Sequence, residues 1–236
     1  MYNRVYLNVS YLEKEEVKKL GAKWNPERKH WYYIGKPEDY IKFAKWLFNI
    51  ETHEGIMILC DYVYIIEGKR ECWKCGKKTK VIGIGIEKFI EIYDTEEDNN
   101  EGNPIYGIEI QGFDNEKELY IGWCDEEKQI PSFLLKYLKE NYTVKTGFSR
   151  IAGRSFANHC EHCGAIQGNN YIFDEFDTPF SLTECNFEKN IEKIKELKIK
   201  KIKLKENVGI NFSYGISGDE YLYLKYGKVE EITIES

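Results

Sequence analysis

The alternation of apolar and polar positions begins almost at once. Residues 4–9, Arg4-Val5-Tyr6-Leu7-Asn8-Val9, alternate and are rich in β-formers, which predicts a strand. Glu13 to Leu20 follows as a short helix, with Val17 and Leu20 three apart on one face and Gly21 at the C-terminal cap. Asn25-Pro26 marks a turn, and His30 to Ile34 reads as a second strand. Pro37 to Phe48 predicts a second helix that opens on proline and puts Tyr40, Phe43, Ala44 and Leu47 on one side. Residues 1–50 therefore predict a β-α-β-α unit. A unit of that size has a marginal core, so it is expected to dock on the rest of the chain.

Beyond it the pattern turns to strands. Residues 56–66, 81–93 and 105–124 carry β-rich apolar runs. Gly83-Ile84-Gly85 lies in one of them and reads as strand, since Lys88 stands where a nucleotide-binding glycine would be. The acidic stretch Asp94 to Asn103 predicts a surface loop. Ile130 to Asn141 predicts a helix, and residues 171–182 a strand and loop. Phe187 to Lys205 predicts a lysine-rich helix with Ile191, Ile194 and Leu197 on one side, although strict alternation from Lys198 to Leu204 also fits a strand. Residues 208–234 read as three short strands. The resulting fold class is α+β: a small β-α-β-α unit packed on a β-rich, zinc-ribbon-like domain with a large insertion, plus a C-terminal β-rich segment. The expected domains are residues 1–50, 51–186 and 187–236.

Charge changes the picture in one respect. The net charge is −6, which argues against a dedicated duplex-binding protein with one broad basic face. Yet residues 1–50 hold ten Lys and Arg against six acidic residues, and residues 187–206 hold eight against four. These two segments are ordinary solvated faces unless they meet in a patch. No apolar run is long enough to span a membrane, and the N-terminus shows no signal-peptide pattern, so the expected location is the cytoplasm. Seven cysteines there stay reduced, which favours metal ligands or buried thiols over disulfides.

Four cysteines fall into two C-x-x-C-G turns, Cys72-Trp73-Lys74-Cys75-Gly76 and Cys160-Glu161-His162-Cys163-Gly164. Two intervening residues aim both sulfurs at one point, and the glycine after them takes a positive φ without steric cost. Together the turns supply four thiolates, the donor set of a closed structural zinc site. With 84 residues between the pairs, one Zn2+ ion would staple distant parts of the chain. Redox-active pairs, two separate metal sites that recruit His159 or His162, and simple buried thiols are the competing readings. Cys60, Cys124 and Cys185 are expected in the core rather than as ligands. Four cysteines leave no open position for catalysis, and neither a deaminase signature nor H-E-x-x-H is present.

P-loop and G-x-S-x-G motifs are also lacking. Gly147 to Asn158, with Arg150 and Arg154, is rich in donors and could bind an anion beside the second knuckle. A hydrogen-bonded loop that merely supports the knuckle competes with that reading.

Tyr6-Leu7-Asn8-Val9, Glu13-Lys14-Glu15-Glu16, Leu20-Gly21-Ala22-Lys23-Trp24-Asn25-Pro26, Lys29-His30-Trp31-Tyr32, then Phe43, Trp46 and Leu47 carry a resemblance. Over residues 5–47 the chain resembles the bacterial domain-of-unknown-function family 5710. That family occurs alongside primase-like and conjugal-transfer proteins of plasmids and mobile elements, so the resemblance implies a link to nucleic acid. Residues 146–169 resemble a zinc-knuckle stretch of uncharacterised bacterial and phage proteins, which implies a metal and no activity. Independently, Trp24 and Trp31 flank the Asn25-Pro26 turn, with Lys23, Arg28, Lys29 and His30 interleaved. Aromatic faces stack on bases and cations hold phosphates; two core tryptophans of a small domain are the bland counterpart.

The first functional reading is a zinc-stabilised accessory protein that contacts DNA or RNA through residues 23–33, aided by Lys198 to Lys205. The second is a non-enzymatic interaction module, a mobile-element or phage factor that binds a host protein through its acidic middle and tyrosine-rich surface. An enzyme built on Arg150 and Arg154 comes third, because no nucleophile and base pair is identifiable. No small-molecule cofactor is expected.

Overall fold

A computed structural model describes residues 3–47, 56–99, 102, 104–113, 117–150, 153–175, 178–182 and 186–234. The chain forms two compact units that are interleaved in sequence. The first takes Met1–Asp61, Lys88–Phe113 and Leu204–Asn211; the second takes Tyr62–Glu87, Asp114–Lys203 and Phe212–Ser236. The three expected domains were contiguous, so this is a different division of the chain.

The first unit opens with β1 (Val5–Leu7), a 3-10 turn (Tyr11–Glu13) that runs into α1 (Lys14–Lys19), β2 (Lys23–Asn25), β3 (His30–Tyr33), and a 3-10 turn (Pro37–Phe43) that runs into α2 (Ala44–Leu47). This is the β-α-β-α unit the sequence predicts; Phe48, its expected last residue, lies outside the described residues. The strands form an antiparallel sheet in the order β1-β3-β2. Gly21 ends α1 at φ 98°, a left-handed value that suits glycine. A second sheet, β14-β4-β7-β8, joins β4 (Ile56–Leu59), β7 (Phe89–Asp98), β8 (Pro104–Gln111) and β14 (Val208–Ile210). The expected loop at Asp94 starts late, because β7 continues to Asp98 in its hairpin with β8.

The small unit docks as expected. Tyr40, Phe43, Trp46 and Leu47 share one core with Ile58, Cys60, Ile90 and Ile92 of the second sheet. Tyr33 stacks on Phe43 with ring centroids 4.6 Å apart. The fully buried Tyr40 hydroxyl accepts a hydrogen bond from Asn207 Nδ2 at 2.8 Å, so even its polar tip is satisfied.

The second unit is organised by a six-stranded sheet, β15-β9-β6-β5-β13-β16. It comprises β5 (Tyr62–Glu71), β6 (Lys78–Ile86), β9 (Tyr120–Trp123), β13 (Lys198–Lys203), β15 (Ser213–Tyr214) and β16 (Lys228–Ile232). A three-stranded sheet, β10-β11-β12, adds β10 (Val144–Ser149), β11 (Gly153–His159) and β12 (Ile166–Gln167). The helices are α3 (Ser132–Asn141), α4 (Phe187–Glu196) and α5 (Tyr221–Tyr226).

Three local expectations are corrected here. Residues 171–174 belong to a short π-helical turn, Asn170–Asp174, rather than a strand. The helix from Phe187 stops at Glu196 and the alternating lysine segment is β13, because Ile199 and Ile202 are buried while it pairs with β5 and β16. The tail contains α5, whose Leu222 and Tyr223 pack in the core of this unit. Cys185 lies outside the described residues.

Truncating Phe43 tests the docked core. Phe43→Ala should lower stability in urea unfolding by about 3–5 kcal/mol, because the ring is completely buried. Leu12→Ala, at a side chain 92% exposed, should change it by less than about 0.5 kcal/mol.

Candidate metal centre and aromatic hairpin

The two C-x-x-C-G turns fold identically. In the first, Cys72 N–H donates to Lys77 O at 2.9 Å and Gly76 N–H to Cys72 O at 2.9 Å. In the second, Cys160 N–H donates to Ala165 O at 2.8 Å and Gly164 N–H to Cys160 O at 2.9 Å. Gly76 and Gly164 both take φ 69°, a conformation that L side chains adopt rarely and glycine freely.

The two knuckles meet. The sulfurs of Cys72, Cys75, Cys160 and Cys163 all lie within 4.8 Å of one another and could hold one metal ion. Cys72 Sγ is 3.7 Å from Cys163 Sγ, and Cys75 Sγ is 3.8 Å from Cys160 Sγ. These separations are too long for disulfides, whose sulfurs sit ~2.05 Å apart. They match a metal tetrahedron, because four sulfurs each ~2.3 Å from a central ion have edges of about 3.8 Å. His159 and His162 are engaged elsewhere. His159 Nδ1 meets Ala157 O at 3.0 Å, and His162 Nε2 meets Lys78 O at 2.9 Å. The cluster therefore consists of thiols alone.

Its surroundings favour thiolate. Burial opposes ionisation of Cys72, but the backbone N–H groups of Cys75 and Lys74 and the neighbouring sulfurs outweigh it and bring the thiol down to about 6. Cys160 is lowered in the same way, with burial overcome by the N–H groups of His162 and Cys163. At Cys163 the Ala165 N–H favours the thiolate, but burial and the three other sulfurs prevail and push the thiol up to about 11. The last proton is the hardest to remove because negative charge accumulates, and a divalent cation at the centre removes that obstacle.

Contacts outside the four cysteines lock the knuckles together. Gln167, fully buried, donates from Nε2 to Cys72 Sγ at 3.4 Å and to Ala165 O at 3.0 Å. Trp73 Nε1 donates to Ile166 O at 2.7 Å, from the first knuckle to the strand after the second. Glu161 N–H donates to Thr79 Oγ1 at 3.0 Å, and the Glu161 carboxylate accepts from Lys80 N–H at 3.1 Å. Asn158 imitates a strand neighbour: its amide accepts from Ile82 N–H at 2.8 Å and donates to Ile82 O at 3.0 Å. No spacing rule in the sequence signals these partners, which, apart from Gln167 and Ala165, lie 76 to 95 residues apart.

The donor-rich loop sits elsewhere than expected. Arg150 and Arg154 are exposed at the tip of the β10–β11 hairpin. Six residues of strand separate Arg154 from Cys160, a distance of roughly 20 Å, so the arginines are not beside the knuckle. Asn158, counted with that loop from the sequence, belongs to the strand contact just described. Cys60 and Cys124 are buried, as expected of core thiols, and burial pushes Cys60 up to about 12.

The aromatic residues of the N-terminal unit lie on the β2–β3 hairpin, where Trp24 faces Trp31 across the strands. Their rings meet edge to face at 5.6 Å. Trp24 is 48% exposed, whereas Trp31 is partly buried and packs against the core of the first unit, so the core reading holds for Trp31 and not for Trp24. Asn25 builds the turn: its Oδ1 accepts from Glu27 N–H at 3.0 Å and Arg28 N–H at 3.2 Å, and its Nδ2 donates to Tyr6 Oη at 2.8 Å. Lys29 closes the turn at φ 56°. Lys23 and Lys29 are exposed and form no ion pair among the described residues. Arg28 is spoken for, with Glu206 Oε1 at 2.5 Å and the Tyr6 ring centroid 4.9 Å away. His30 Nδ1 meets Arg28 O at 2.7 Å.

Several lysines of the second basic segment are engaged within their own unit. Lys198 pairs with Glu67 at 3.4 Å, Lys200 Nζ donates to Tyr142 Oη at 2.9 Å, and Lys201 lies 3.6 Å from the Tyr62 ring centroid. Among the described residues no helix is long and apolar enough to cross a membrane.

Two outcomes follow from the sulfur cluster. Cobalt(II) titration should give one equivalent per chain with thiolate charge-transfer absorption, and affinity should fall as the pH is lowered, most steeply below about 6, where the Cys72 thiol also takes up its proton. Cys75→Ser should abolish that spectrum and Cys60→Ala should leave it intact. Gln167→Leu should weaken metal binding by about 10–100-fold in competition with a chelator, the usual cost of losing a partner that holds a ligand.

Residues 4–47 match a known family, Domain of unknown function (DUF5710). Two curated proteins, each named DNA primase TraC of Escherichia coli, are 49% and 46% identical to this chain over 43 residues. The match covers 18% of this chain but 4% and 3% of those proteins, so the chain spans a small fraction of the relatives' length. No solved structure matches the chain. The segment from β1 through α2, which carries the Trp24–Trp31 hairpin, is thus the part of this protein that corresponds to DUF5710.

Proposed function

We propose that this chain is a zinc-stabilised accessory protein of the cytoplasm that contacts nucleic acid through its β2–β3 hairpin. Four soft thiolates at tetrahedral spacing suit Zn2+, and with all four positions filled the ion has a structural role. A reducing compartment keeps those thiols available to the metal.

The observation that carries the nucleic-acid reading is Trp24, a large ring 48% exposed that lines one groove with Lys29, while Lys23, also exposed, precedes it on the same strand. Leaving an indole in water has no packing benefit, whereas an exposed ring among cations is the arrangement that stacks on a base while the charges hold phosphates. The name DNA primase carried by the relatives of this segment supports the same reading. Within the set Lys23, Trp24, Arg28, Lys29, His30 and Trp31, the roles divide. Lys23 and Lys29 supply charge and Trp24 supplies the stacking face. Arg28 positions the hairpin, because its charge is already matched by Glu206.

A salt titration of the full chain on single-stranded, duplex and junction DNA tests this. Binding should weaken with salt, and the Lys23→Ala/Lys29→Ala variant should flatten the log–log slope by about 1.4, or about 0.7 per lost single-strand phosphate contact. Arg28→Ala should leave the slope nearly unchanged. Salt-independent binding, no binding, or full binding by the double variant would overturn the proposal.

A further inference from the structure

The hairpin does not present its tryptophans on a flat face. A groove of about 380 Å³ runs between the hairpin and the helical turn before α1, and its walls include Tyr11, Lys14, Trp24, Lys29, His30 and Trp31. That volume falls in the range of small-molecule sites, ~300–1,000 Å³. Tyr11 is 78% exposed, yet it is not simply adrift. Lys14 Nζ sits 3.9 Å from its ring centroid, which orients the ring and leaves its other face available. The groove therefore has three aromatic walls with two lysines among them.

We infer that this groove takes a single unpaired base of a nucleic-acid strand, so that the N-terminal unit selects unpaired nucleotides over continuous duplex. The inference rests on the nucleic-acid reading above and names the form of nucleic acid recognised. A stacked base in a duplex shows its edges to the grooves and hides both faces, whereas a base splayed out of the stack offers its faces to aromatic rings. An apolar peptide would use the rings but gain nothing from the lysines. A strand with a phosphate beside each base uses both, which is the charge complementarity that singles out this occupant.

The test compares two fluorescent oligonucleotides of equal length bound by the full chain, one oligothymidylate and one with abasic sites throughout. Both carry the same phosphates, and only the first offers bases. The abasic strand should bind about five- to 150-fold more weakly, the effect of one stacked base, and a blunt duplex should also bind more weakly than oligothymidylate. Tyr11→Ala should shrink the difference between the two strands, and Tyr11→Phe should keep it. Tyr11 is exposed, so neither change threatens the fold. Tryptophan fluorescence should be quenched by oligothymidylate and not by the abasic strand. Equal binding of both strands that is indifferent to Tyr11→Ala would overturn this inference while leaving nucleic-acid binding by the lysines intact. Binding of neither strand nor the duplex would overturn both.

Discussion

Four sulfurs within 4.8 Å of one another join residues 72–75 to residues 160–163, and much of the second unit is arranged around that junction. The first knuckle lies between β5 and β6, and the second follows β11 directly. A short turn has little core of its own, so each knuckle relies on the other for order. A metal ion in the cluster would turn two weak turns into one closed loop of the chain, and its binding free energy would become folding free energy. The contacts around it point the same way. Trp73 reaches the strand after the second knuckle, and Glu161 reaches Thr79 and Lys80 at the start of β6. A metal ion held there would be a staple with hydrogen-bonded reinforcement.

Stability in the first unit has another source. Its small sheet and two helical segments bury Val5, Leu7, Val17, Phe43 and Trp46 in a core that continues onto the four-stranded sheet. With that apolar side committed, the β2–β3 hairpin and the turn at Tyr11 are left facing water. The exposed rings in this region are the ones the proposed contact uses. Arg28 shows how placement differs among the cations of the hairpin: it lies beside the Glu206 carboxylate and over the Tyr6 ring, while Lys23 and Lys29 are exposed.

Much was legible in the sequence because its cause was local. Two C-x-x-C-G turns state their own geometry, since spacing and glycine are all a knuckle needs, and the matching φ of Gly76 and Gly164 reflects that. The β-α-β-α order of residues 5–47 follows from alternation, helical spacing and the Asn25-Pro26 turn. Cys60 and Cys124 read as core thiols because they lie in or beside apolar runs.

The readings that changed depended on distant neighbours. Lys198 to Leu204 fits either a helix or, by its alternation, a strand; pairing with β5 and β16 decides for the strand over Lys198–Lys203 and engages Lys198 and Lys200. Asn158 looks like a polar loop residue until Ile82, 76 residues away, supplies a backbone for its amide. Arg28 looks like a phosphate contact until Glu206 neutralises it. By itself the sequence determined the two metal knuckles and the N-terminal unit, because short-range spacing and backbone conformation specify both. Only the tertiary structure decided that the knuckles share one cluster, which cations are engaged by neighbours and that Tyr11 joins Trp24 and Trp31 around a groove, because each depends on how side chains of separate elements meet in space, whether within one small unit or across 85 to 91 residues of chain.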